Sequence, residues 1–177
     1  AEELGLDVRA MSSLKPWAAA VILAAMKLRK LGFDPEVGVD RYFADRANQA
    51  GKPVHGLETP EFQIELLDQM SRGDQELMLL QTLKEMDLLE DNVGRIISAW
   101  KNGRSGAMEK LMLASMRETP EVRRKLIDDR NRSWVPQLEQ ILSGGDDVLV
   151  VVGAAHLVGR SGVIELLKQR GYRVEQE

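Results

Sequence analysis

Apolar residues recur every three or four positions along most of the chain, a period that predicts amphipathic helices. A capping residue, a proline and a glutamate follow one another at Asp34, Thr59 and Thr119, and each set predicts a helix start. Pro136 is expected either to kink the helix that contains it or to begin a second helical piece. The predicted helices cover residues 2–11, 14–30, 34–51, 59–70, 73–100, 108–116, 120–142 and 163–170.

Three short segments have the composition of β-strands. Residues 148–152 are four valines and a leucine in a row, which suits a strand buried on both faces. Residues 52–58 and 172–175 are the other two candidates, and helices alternate with all three. This order predicts a helix-rich α/β fold with a small, partly parallel sheet. Because three strands make a thin sheet for so much helix, we expect the chain to be a truncated part of a larger α/β domain.

The composition excludes several classes of protein. The 177 residues carry a net charge of −4 with lysine and arginine spread among acids, which argues against a nucleic-acid surface. The absence of cysteine excludes disulfides, thiolate zinc sites and a cysteine nucleophile. The longest apolar stretch, residues 16–26, falls short of the roughly 20 residues that span a bilayer. We therefore expect no transmembrane segment in this chain.

His156 is the strongest candidate for chemistry among the two histidines. It follows the valine-rich strand candidate through Gly153, and open α/β sheets bind ligands at the carboxyl ends of their strands. Glu58 ends another strand candidate, so parallel pairing would bring a carboxylate and an imidazole to one edge, where they could bind a divalent metal or act as a base pair. The alternatives are a core histidine bonded to a backbone carbonyl and an acid beside helix-start amides. His55 is interpreted as structural.

Residues 130–134 form a third candidate cluster. Arg130 and Trp134 are four positions apart, hence on one face of a continuous helix, and an arginine held by an aromatic ring could clamp a carboxylate or an oxyanion. The alternative is a surface ion pair beside a core tryptophan. Asn131 and Gly153 are assigned to substrate contact. The glycines near His156 do not match a dinucleotide-binding loop, so they are interpreted as steric and turn residues.

Six segments carry a resemblance to a known family: residues 38–43, 51–59, 130–134, 151–159, 162–167 and 171–174. In this order they resemble the TraB/PrgY family, also called GumN-like, to which the TIKI proteases belong. The resemblance is strongest to the bacterial GumN-like branch. The family pattern contains two G-x-x-H motifs, but no G-x-x-H occurs before residue 153. The resemblance therefore implies that this chain holds half of a site.

The resemblance implies a divalent-metal-dependent hydrolase, peptidase-like, that is inactive as this chain alone. It makes His156 and Glu58 metal ligands and, with Arg130, the catalytic groups; the ion could be Mn²⁺, Co²⁺ or Zn²⁺. An alternative is a non-catalytic protein that binds or sequesters a peptide, as in pheromone shutdown. The bacterial relatives are often envelope-associated, so the resemblance suggests the cell envelope or periplasm.

The predicted organisation is a single C-terminal portion of a TraB/GumN-like domain over residues 1–177. Residues 1–34 are a helical lead-in and residues 35–177 match the family. An incomplete sheet would leave an apolar strand edge uncovered, and such an edge pairs readily with another chain. We therefore expect a peptide or protein partner, or a homo-oligomer formed through that edge.

Overall fold

A computed structural model describes residues 11–176 of the protein. The chain divides into two compact units, Ala1–Glu90 and Asp91–Glu177, and each is described by itself. The helix predicted over residues 2–11 lies almost wholly outside the described residues. The α-helices are α1 (Pro16–Lys30), α2 (Val39–Gln49), α3 (Pro60–Asp68), α4 (Arg72–Glu85), α5 (Leu89–Lys101), α6 (Ser105–Leu113), α7 (Pro120–Arg123), α8 (Asp129–Leu142) and α9 (Val163–Gln169).

The predicted α/β fold with a small, partly parallel sheet is wrong for residues 11–176, which contain helices and loops but no β-strand. The three candidate segments have no regular secondary structure, and no ladder of backbone hydrogen bonds joins any of them to another segment of residues 11–176. The physical reason is that a strand exists only with a partner, since its amides and carbonyls bond between segments. A valine-rich composition favours an extended backbone but cannot supply the partner.

In the first unit, α1 packs along α4. Ala19, Ala20 and Leu23 are buried on the inner face of α1, and the two alanines allow close approach. The side chain of Gln75 in α4 is also buried, and its amide donates to the carbonyl oxygen of Met70 at 3.0 Å. This bond satisfies a polar group that would otherwise be costly to bury.

Two of the three predicted helix starts have the expected side-chain cap. The Thr59 hydroxyl accepts a hydrogen bond from the amide of Phe62 at 3.2 Å and opens α3. Asp34 accepts from the amide of Glu36, but it opens only a 3₁₀ turn, and α2 starts later because Gly38 is extended (φ −65°, ψ 152°). Thr119 precedes α7 without a side-chain cap. The helix starts predicted at Thr59 and Thr119 are thus confirmed, whereas the one at Asp34 opens a 3₁₀ turn, and α2 is shorter than the predicted helix over residues 34–51.

The second unit has a core of Ala99, Met108, Leu113 and Val158, contributed by α5, α6 and the loop after His156. Helix α9 packs on α8. Between α7 and α8 the backbone makes one π-helical stretch, Arg124–Asp128, so the predicted helix over residues 120–142 is nearly continuous. Pro136 lies inside α8 rather than at a new start. The helix predicted over residues 73–100 is interrupted between Glu85 and Leu89.

Candidate functional site

His156 ends a 3₁₀ turn, Ala154–His156, that follows residues 148–152, which have no regular secondary structure. Its amide donates to the carbonyl oxygen of Gly153 at 2.9 Å, which closes the turn. Only 7% of the residue is exposed. A Cβ atom at Gly153 would lie 3.6 Å from Cδ2 of the His156 ring, so Gly153 borders the imidazole directly. The turn therefore presents the imidazole to the interior of the second unit.

Asn131 in α8 is the polar partner of that imidazole. Its Oδ1 lies 2.7 Å from Nδ1 of His156, and its side chain is completely buried. Its Nδ2 donates to the carbonyl oxygen of Ser161 at 2.7 Å and to that of His156 at 3.3 Å. One amide side chain thus ties α8 to both ends of the loop that carries the histidine.

Trp134 supports the other side of the same imidazole. The two ring centroids are 4.5 Å apart with the planes tilted by 45°. Arg130 lies one turn earlier in α8 with its guanidinium carbon 5.1 Å from the centre of the Trp134 ring, a cation–π contact. Its Nη1 donates to the carbonyl oxygen of Leu126 at 3.1 Å. The structure therefore brings Arg130, Asn131, Trp134 and His156 together in one cluster of the second unit.

Sequence reasoning missed a group of hydrogen-bonded polar side chains next to this cluster. The Ser161 hydroxyl donates to Oδ1 of Asp128 at 2.5 Å, and Nη2 of Arg123 donates to the Ser161 hydroxyl at 3.4 Å. Within residues 11–176, the buried Nε of Arg123 has no hydrogen-bond partner, although it lies 3.7 Å from Oδ1 of Asp128. The available signal was spacing: Asp128 precedes Asn131 by three residues, so the two share a helix face.

Glu58 lies in the first unit, at the start of α3, and is half-buried. Its Oε2 accepts a hydrogen bond from Nε2 of Gln63 at 3.3 Å. Gly56 makes a tight approach here, because a Cβ atom at this residue would lie 2.7 Å from the carbonyl oxygen of Glu58. His55 is exposed. Since Glu58 and His156 belong to different units, their convergence stays a prediction.

An apolar cleft lies beside the cluster. The even-numbered valines of the extended segment, Val148, Val150 and Val152, line it together with side chains of α8 and α9. Leu149 and Val151 do not line the cleft, and Leu149 is 66% exposed. The segment thus alternates as a strand does, with one side toward the helices and the other outward.

Across the described part of the chain, no group of three or more His, Cys, Asp or Glu side chains is gathered as a metal would require. No helix within residues 11–176 combines the length and hydrophobicity needed to cross a bilayer.

Comparison with known proteins places these residues in a family. The chain is 29% identical over 168 residues to the uncharacterized protein YbaP of Escherichia coli K12, and to its Shigella flexneri counterpart to the same extent. Each alignment covers 94% of this chain and 61% of the relative, so the chain spans less than two thirds of their length. No solved structure matches. The TraB/PrgY/gumN family model matches residues 1–176, including the lead-in, and the chain belongs to that family.

Proposed function

We propose that this chain contributes part of the active site of a hydrolase that acts on peptide bonds. The observation that carries the proposal is the pairing of His156 with Asn131 at 2.7 Å. A buried imidazole held by an amide on one side and by Trp134 on the other has a fixed orientation, as a ligand or base requires. The TraB/PrgY/gumN family model matches residues 1–176 as a whole, so the choice of this cluster rests on its geometry.

The roles proposed for the other groups follow from their chemistry. Arg130 stabilises negative charge that develops on a substrate oxygen, because a guanidinium is a permanent cation with several donors. Glu58 acts as the carboxylate of the site, and Gly153 leaves room beside the imidazole for a substrate backbone. The prediction that Asn131 contacts substrate stays untested, and its hydrogen bonds described above are all internal.

A divalent ion such as Mn²⁺, Co²⁺ or Zn²⁺ is part of the proposal, with His156 and Glu58 as ligands. The residues described do not by themselves fit a metal site, because no three ligand side chains converge among residues 11–176. The cluster around His156 supplies one imidazole, while its neighbours Asn131, Trp134 and Arg130 are not usual metal ligands. The catalytic roles assigned above therefore rest on the chain's own groups.

Metal binding by the whole protein tests this proposal. The two histidines offer a matched pair of variants, His156→Ala at the buried cluster and His55→Ala at an exposed position. Isothermal titration with Mn²⁺, Co²⁺ and Zn²⁺ should show affinity reduced by more than about tenfold in His156→Ala, since even indirect contacts to a ligand contribute about 10–100-fold. His55→Ala should bind as the wild type does. Unchanged metal affinity and peptide cleavage in His156→Ala would refute the assignment.

The second candidate is a non-catalytic protein that binds a peptide. Residues 148–152 favour it, because no backbone hydrogen bond joins them to any other part of residues 11–176, and Leu149 and Val151 are exposed. Such a segment could accept an extended peptide as an added strand. Peptide binding without turnover, unaffected by a chelator, would support this candidate over the enzyme. Cleavage that a chelator abolishes would exclude it.

Residues 148–152 are also the proposed site of self-association. Sedimentation velocity should then show a concentration-dependent dimer that Val151→Lys dissociates, because a charge on the outward face opposes strand pairing. Val37→Lys, at an exposed position of the first unit, is the matched control. A wild-type protein that stays monomeric at all concentrations would contradict the proposal.

A further inference from the structure

We infer that Asn131 is a positioning residue that fixes the His156 imidazole as the tautomer with its proton on Nδ1. The inference concerns which ring nitrogen the cluster presents, and its importance for catalysis rests on the function proposed above. It depends on four hydrogen-bonding groups whose roles as donor or acceptor can be assigned one after another.

The orientation of the Asn131 amide follows from the two carbonyl oxygens beside it. Those of Ser161 and His156 lie 2.7 Å and 3.3 Å from the Nδ2 position. Backbone carbonyls only accept hydrogen bonds, so the amide group that faces them must be the NH₂. The opposite orientation would direct Oδ1 at two other acceptors in a fully buried place where water cannot intervene.

With the amide oriented, the tautomer of the imidazole follows. The atom 2.7 Å from Nδ1 of His156 is Oδ1 of Asn131, which is an acceptor only. The ring nitrogen must therefore donate, so it carries a proton. In a neutral imidazole one nitrogen donates and the other accepts, and Nε2 then holds the lone pair.

Two further contacts hold the ring in place. Trp134 lies against the imidazole with ring centroids 4.5 Å apart, and the backbone amide of His156 donates a hydrogen bond to the carbonyl oxygen of Gly153 within the 3₁₀ turn. Rotation of the ring would break the contact with Asn131. Asn131 thus acts through the imidazole: it fixes Nδ1 as the ring nitrogen that carries the proton and Nε2 as the one that carries the lone pair.

The tautomer can be read directly from a long-range ¹H–¹⁵N correlation spectrum of the imidazoles. The chain contains two histidines, so a His55→Gln spectrum assigns both sets of signals. The spectrum is recorded in the presence of a chelator near pH 8.5, where an ordinary imidazole is neutral because its pKa is about 6.5. We expect the Nδ1–H form of His156 in more than about tenfold excess, because the other form would oppose two lone pairs. A predominant Nε2–H form in the wild-type protein would overturn the inference.

Asn131→Leu provides the variant, since leucine has a similar volume and no acceptor. Its His156 should lose the excess of Nδ1–H and revert toward the Nε2–H form that a histidine prefers in water. A folded Asn131→Leu protein, by circular dichroism, that keeps the Nδ1–H excess would also overturn the inference. Should this variant not fold, the wild-type spectrum still decides. The measurement requires neither metal nor substrate, so loss of the proposed function would leave its result unchanged.

Discussion

Gly162 lies at the amino-terminal cap of α9 and is expected to tolerate no side chain. A Cβ atom there would lie 2.6 Å from the carbonyl oxygen of Val158 and 2.9 Å from the carbonyl carbon of Leu157. Both are backbone atoms, so relief requires the loop after His156 to move. The φ angle of −67° is ordinary for any residue, so Gly162→Ala introduces no backbone strain, and its main cost in the folded state is steric.

The magnitude follows from two opposing contributions. Forcing extra volume into a packed place costs about 1–3 kcal/mol, and alanine is a poorer cap than glycine. Against this, replacing glycine restricts the unfolded chain, which stabilises the native state by about 0.4–1 kcal/mol. We expect Gly162→Ala to lower the free energy of unfolding by about 1–2 kcal/mol, the difference between these contributions.

Gly153→Ala is the matched control within the same segment. Its Cβ would lie 3.6 Å from His156, an ordinary contact, and its φ is −57°. This variant should be as stable as the wild type or up to about 1 kcal/mol more stable. Urea unfolding followed by circular dichroism, with native-state hydrogen exchange of the α9 amides, measures the difference within this unit. Equal stability of Gly162→Ala and wild type, or equal damage in both variants, would refute the reasoning.

Three further predictions concern stability. Thr59→Ala should destabilise the first unit by about 1 kcal/mol in urea unfolding, because it removes the hydroxyl that caps α3, and a Thr59→Ser variant that loses as much would contradict this. The pKa of Asp68 is held below its ordinary value, chiefly by the hydrogen bond from Lys15. Its contribution to the stability of the fold should therefore be complete above the unfolded pKa of about 3.9 and lost as the pH falls through the folded pKa. In a pH series of unfolding midpoints, Asp68→Asn should be less sensitive to acid than the wild type, and identical pH profiles would argue against this. Leu138→Ala should cost about 2–5 kcal/mol because the side chain is 6% exposed, whereas Leu142→Ala, 52% exposed, should cost far less in the same assay, and equal losses would refute the burial argument.

Helices were predictable from the sequence because their signals are local. The Thr59 cap and the apolar spacing of three or four residues along 120–142 act within a few positions, and both predictions hold. The length of the helix after Asp34 was not predictable in the same way. It is shortened because Gly38 is extended, and this conformation is open to any residue, so the presence of a glycine does not indicate it. The division at 34/35 between lead-in and family region stays a prediction.

The sheet and the site depended on long-range contacts. A run of valines indicates an extended backbone, but whether it pairs depends on segments far away, and none pairs with it among residues 11–176. By contrast, the spacing of Arg130 and Trp134 within α8 is local, and it predicted that they share a face, which the structure confirms. The contact between Asn131 and His156 joins positions 25 apart in sequence, and nothing local to either residue indicates it.

The extended residues 148–152 also affect how the protein behaves at high concentration. They are five consecutive apolar residues with high β-propensity and no charge, and within the described residues 11–176 they make no backbone–backbone hydrogen bond. This is the composition of segments that stack into cross-β fibrils. Asp146 and Asp147 immediately precede them, and charges in such flanking positions act as gatekeepers against fibril growth. Neutralising this pair with asparagine should therefore shorten the lag before thioflavin-positive aggregates form, although neither aspartate belongs to the histidine cluster.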